Sequence, residues 1–88
     1  MNPPKQSRNV RRSERLLEAA GYSTIRVSGE GWNLIAVGSV DLALVRVTRD
    51  SLTNEQREDL ASFSCPPNCR KLIHVWRRRE RFPDVMTL

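Results

Sequence analysis

The sequence predicts an α/β domain in which one small mixed sheet is flanked by two helices. Three observations carry that expectation. Helix signals occur twice, over residues 8–20 and again from Leu52 to just before Cys65, with short strand-like segments between and after them. Two of those segments, Leu34–Val37 and Leu42–Thr48, are almost unbroken apolar runs, the pattern of central strands covered on both faces. Finally, 88 residues allow one thin core, because a second domain would need about 50 residues of its own.

Taken in order, residues 1–7 carry two prolines and read as a flexible lead to a single domain over 8–88 with a basic C-terminal segment. The helix over 8–20 gathers Val10, Leu17 and Ala20, with Leu16 beside them, into a narrow apolar stripe and leaves Arg8, Arg11, Arg12 and Arg15 on wetter faces. Gly21 stands where a helix end wants a residue without a Cβ. Residues 22–27 alternate, with Ser23, Ile25 and Val27 on one face of a first strand and Tyr22, Thr24 and Arg26 on the other.

A Ser-Gly-Glu-Gly break over 28–31 precedes the second strand, and Gly38-Ser39 predicts a two-residue hairpin turn into the third. Thr53 and Gln56 form a capping box for the second helix, with Glu55, Glu58 and Asp59 near the positive end of its dipole. Gln56, Leu60 and Phe63 share one face of it. Cys65-Pro66-Pro67-Asn68-Cys69 ends this helix, 72–76 is a fourth strand, and the Phe82-Pro83-Asp84-Val85 tail is a short edge strand or irregular.

Composition narrows the function. Fifteen Lys and Arg against ten Asp and Glu give a net charge of +5. The excess lies at the ends, +4 over residues 1–15 and +5 over 70–81, and the remainder sums to −4. Thirteen of the fifteen cations are Arg, which favours forked phosphate contacts. If folding joins the two ends, they make a surface suited to a phosphate backbone, with Arg8, Arg11, Arg12, Arg77, Arg78, Arg79 and Arg81 as the contacts. No apolar run approaches the roughly 20 residues of a membrane span, and the N-terminal residues lack the apolar stretch of a secretory signal. The expected location is therefore cytoplasmic. Cys65 and Cys69 fall short of the four ligands a structural zinc needs, so two free thiols are expected, with a disulfide as the alternative. His74 lacks an evident nucleophile partner, Trp32 sits in a Gly-rich loop, and Trp76 reads as core or interface.

The order of elements, with Glu14 in an Arg-rich first helix, the 25–31 segment, Asn33 before Leu34–Val37, Leu44-Val45-Arg46-Val47-Thr48, Thr53 with Gln56, and Lys71 through Trp76, resembles the PD-(D/E)XK nuclease superfamily over residues 13–76. The resemblance is nearest to archaeal Holliday-junction resolvases and small VRR-NUC-type domains. It implies a restriction-endonuclease-like αβββαβ core, a prokaryotic or phage source and a homodimer. In that family an Asp opens the second strand and a Glu or Gln stands two residues before a Lys on the third. Together they hold Mg²⁺ and activate water. Here those positions fall on Asn33, Arg46 and Thr48, and all three are replaced.

An alignment shifted to Asp41 finds no matching Glu-x-Lys downstream, so Asp41 reads as a residue flanking the hairpin turn. Glu14 and Gln56 match two further site positions of that family as vestiges, but an ion pair with Arg11 or Arg15 already explains the first and the capping box the second. The sequence thus points to a nuclease fold without catalytic residues or cofactor that binds nucleic acid, DNA first, with Arg46 as a phosphate clamp. Two alternatives remain open: an accessory module that docks on an acidic protein, or a divergent Mg²⁺-dependent structure-specific endonuclease.

Overall fold

The computed structural model describes residues 5–28 and 31–88. The N-terminal part of the expected lead (1–4) and Gly29 and Glu30 of the expected break lie outside the described residues. The elements run α1 (Lys5–Ala19), β1 (Ser23–Arg26), β2 (Leu34–Val37), β3 (Leu42–Thr48), α2 (Asn54–Ala61), β4 (Cys69–Val75) and β5 (Asp84–Thr87). The five strands form one sheet in the order β1-β2-β3-β4-β5, antiparallel except for the β3–β4 pair, whose parallel register requires the α2 crossover. β3 is therefore central. Its length and that of β2 agree with the apolar runs that predicted them.

Alternation along β3 divides the core. Ala43, Val45 and Val47 pack with Leu34, Ala36, Trp76, Val10 and Leu17 under α1. Leu44 packs with Trp32 and Leu60 on the opposite face, under α2. α1 starts at Lys5 rather than Arg8, and Ala20 is exposed, so the buried stripe is Asn9, Val10, Ser13 and Leu17. The α1 terminus closes as expected of Gly21, which has φ +98°. Tyr22 N–H donates to Leu17 C=O at 3.0 Å and Gly21 N–H to Glu18 C=O at 3.0 Å, the paired bonds of a Schellman motif.

Other boundaries also differ from the sequence reading. The β2–β3 connection is a four-residue loop over 38–41, closed by Gly38 N–H donating to Asp41 C=O at 2.8 Å, not a two-residue turn. Pairing of Val37 with Leu42 fixes that length. α2 ends at Ala61, before the Cys65–Cys69 segment, and β4 begins at Cys69 because the Pro66–Cys69 turn delivers the chain directly into the sheet. The tail is a true edge strand, β5, paired with β4. A Cβ on Gly38 would lie 2.7 Å from Asp41 Oδ1 and 2.9 Å from the Tyr22 ring. Gly38→Ala is therefore expected to lower stability by about 1–3 kcal/mol, read from the urea midpoint.

Candidate nucleic-acid interface

Asn33, Arg46 and Thr48 lie on or against the C-terminal half of β3, where each has a structural task. Asn33 precedes β2, and its main-chain N–H donates to Val45 C=O at 2.9 Å. Its side-chain Oδ1 accepts the Val47 N–H at 2.7 Å, so the residue spans Arg46 and extends the ladder. Arg46 lies on the α2 side and donates from Nη1 to Gly31 C=O at 3.0 Å. Thr48 Oγ1 donates to Asp50 C=O at 2.9 Å and closes the turn after β3.

Arg46 also lines a cleft of about 530 Å³ with Gly31, Trp32, Leu52, Gln56, Asp59, Leu60 and Phe63. These residues do not fit Mg²⁺. The one oxygen that Asn33 offers is committed to the ladder. A fixed guanidinium charge about 4 Å from a cation would repel it by roughly 4 kcal/mol per unit charge at an effective dielectric near 20. Among the described residues no group of three or more His, Cys, Asp or Glu could hold a metal ion.

Glu14 pairs neither with Arg11 nor with Arg15. Its carboxylate accepts from Arg26 Nη2 on β1 at 2.7 Å, because α1 packs across that strand. Gln56 makes both bonds of the predicted capping box with Thr53 and also lines the cleft. Asp41 accepts from Tyr22 Oη at 2.9 Å beside the hairpin loop, which raises the Tyr22 pKa, and lies 3.6 Å from Arg70.

The arginines divide into two groups. Arg12 Nη2 donates to Glu80 C=O at 2.9 Å and Arg81 C=O at 3.4 Å, and its guanidinium stacks 4.0 Å from the Trp76 ring centroid. Arg77 Nε donates to Asp84 at 2.8 Å, and Nη2 reaches Ser51 Oγ at 3.3 Å. These two hold the chain. The side chains of Arg8, Arg11, Arg78, Arg79 and Arg81 are exposed and make no hydrogen bond or ion pair with the described residues. The Arg12 contacts set the 77–81 segment against α1.

Sequence reasoning missed a buried polar cluster beneath this junction. Ser13, fully buried, accepts from Trp76 Nε1 at 2.7 Å and lies 2.9 Å from His74 Nδ1. A serine three residues after Val10 and four before Leu17 was its only signal. Burial pushes the His74 imidazole below its usual pKa. The folded state thus favours neutral His74, so stability is full above the unfolded value of about 6.5 and falls as pH drops below it, down to the folded value. Urea midpoints between pH 7.5 and 5.5 are expected to decline, with a shallower decline in His74→Gln.

Cys65 and Cys69 are free thiols; Cys65 Sγ contacts Cys69 C=O at 3.8 Å, and burial, followed by the neighbouring Cys65, raises the Cys69 pKa. Trp32 is buried in the core under α2 and meets Phe63 edge-on, with ring centroids 6.1 Å apart. Among the described residues no helix is long and apolar enough to cross a membrane.

No protein-family model and no curated protein matches the chain. A solved structure does: Hjc, a Holliday junction resolvase from the archaeal hyperthermophile Archaeoglobus fulgidus, superposes with a TM-score of 0.71. It is 21% identical and the match covers 91% of this chain and 73% of that one. The resemblance read from the sequence is thereby borne out at the level of the fold: two helices and a five-stranded mixed sheet in the restriction-endonuclease-like arrangement of an archaeal resolvase.

Proposed function

We propose that this chain is a nuclease-fold protein that binds nucleic acid, DNA first, through a basic surface and does not cleave it. The observation that carries the reading is the Arg12 contact with the Glu80 and Arg81 carbonyls. It joins the cationic face of α1 to the 77–81 cluster, so that two charge excesses far apart in sequence act on one polyanion. Arg46 supplies a further phosphate contact in the cleft where an acid would otherwise hold a metal. A homodimer and a cytoplasmic location belong to the same reading. The fold relative is named for its action on Holliday junctions, which makes branched DNA the first ligand to try.

The test is incubation with four-way junction, duplex and single-stranded DNA, each with Mg²⁺ or Mn²⁺. The expected result is retarded but intact DNA. Cleavage that disappears in Asn33→Ala would contradict the reading and favour a divergent endonuclease.

A second reading is an accessory module for an acidic protein. It draws on Ile25, Val37 and Val40, apolar side chains exposed on β1, β2 and the hairpin loop. A partner retained in a pull-down after nuclease digestion would favour it.

A further inference from the structure

The cleft under α2 has features that a general phosphate clamp does not need. Its lining is mixed: Arg46, Gln56 and Asp59 are polar, and Trp32, Leu52, Leu60 and Phe63 are apolar. Its volume, about 530 Å³, lies within the roughly 300–1,000 Å³ typical of small-ligand sites.

Among the described residues the Arg46 side chain has one partner, the Gly31 carbonyl, and no carboxylate lies within 4.0 Å of it, so these residues leave its other N–H donors to an anion. Phe63, in contrast, is 51% exposed although it belongs to the apolar lining. Trp32 is buried and meets Phe63 edge-on, with an interplanar angle of 72°. Phe63 thus contacts Trp32 yet keeps about half of its surface open at the cleft, as a stacking surface for a base requires. Asp59 is an acceptor that opposes a phosphate beside it and suits the N–H groups of a base.

We propose that this cleft receives one unpaired nucleotide of a single strand, its base stacked on Phe63 and its phosphate held by Arg46. The proposal rests on the nucleic-acid reading above and adds a preference for unpaired over duplex regions. The basic α1 and 77–81 surface binds backbone irrespective of pairing, while the cleft senses whether a base is free to leave the stack.

The experiment uses the full chain and two DNA probes, an intact duplex and the same duplex with a short single-stranded gap carrying 2-aminopurine. The gapped probe is expected to bind several-fold more tightly, with a change in 2-aminopurine fluorescence on binding. Phe63→Leu keeps the apolar bulk and removes the π face. It is expected to weaken gapped-probe binding by about tenfold and to leave duplex binding unchanged at temperatures where the variant is folded. Arg46→Gln is expected to lower gapped-probe affinity and its salt slope by about 1, a second route if Phe63→Leu folds poorly. Equal affinity for both probes with unchanged fluorescence would overturn the cleft proposal and leave nucleic-acid binding standing. Failure to bind either probe would overturn both.

Discussion

Replacing Arg78, Arg79 and Arg81 together with alanine is expected to weaken DNA binding by about a hundredfold at roughly 100 mM salt and to lower the log–log salt slope by nearly 3. Each phosphate neutralised releases counterions and contributes about 0.9 to that slope. The three side chains are exposed and make no hydrogen bond or ion pair with the described residues, so their loss should leave the fold intact. Arg79 has φ +65°, and alanine at the same φ bears a similar backbone strain, so the turn is not the variable. Arg77→Ala provides the contrast. Its guanidinium is paired with Asp84, and removing it should affect the β4–β5 connection more than the slope. Filter binding across a salt series, beside a thermal melt of each variant, separates the two outcomes.

Ser13→Ala is the second substitution with a large expected effect, this time on stability. Ser13 is 0% exposed and its hydroxyl meets both Trp76 Nε1 and His74 Nδ1. Alanine removes one small oxygen but deprives two buried ring nitrogens of their partner. Leaving a buried polar group unsatisfied costs about 1–3 kcal/mol, so a loss of about 2–3 kcal/mol is expected. In a domain of this size that lowers the melting temperature by about 10 °C or more. The same change loosens the platform on which Arg12 stacks, and through Arg12 the backbone of Glu80 and Arg81. DNA affinity should therefore fall even at temperatures where the variant is folded. Ser13→Thr, which keeps the hydroxyl, is expected to recover part of both losses.

Much of the architecture was legible because local signals and tertiary demands agree. The apolar runs of β2 and β3, the Thr53–Gln56 capping box and Gly21 each specify one conformation by short-range chemistry, and the fold realises all of them. The hairpin loop was misread because its length depends on the pairing of Val37 with Leu42 and on the close approach of Tyr22 and Asp41 to Gly38. Neither is visible in the Gly-Ser dipeptide. The partner of Glu14 was hidden for the same reason: an i,i+4 arginine is evident in sequence, whereas Arg26 becomes its neighbour only when α1 lies across β1.

The site was legible in part. The sequence reading assigned the family's Asp, Glu/Gln and Lys positions to Asn33, Arg46 and Thr48; in the structure Arg46 and Thr48 lie on β3, and Asn33 bonds to that strand from the residue before β2. The roles of Arg12 and Arg77, by contrast, could not be read from a charge count. A guanidinium that caps carbonyls or pairs with a carboxylate contributes the same +1 as one facing solvent, and only contacts across more than 60 residues of chain tell Arg12 apart from Arg11.

The most direct measurement of the central claim is a binding titration of the full chain against labelled junction and duplex DNA from about 50 to 300 mM salt, with Mg²⁺ present and the recovered DNA inspected for breaks. A nuclease fold that has exchanged its metal site for a cationic surface predicts saturable binding at the low end, a steep linear fall of log affinity with log salt, and uncut DNA throughout. Absence of binding at about 50 mM salt, or strand breaks that require the divalent ion, would contradict it.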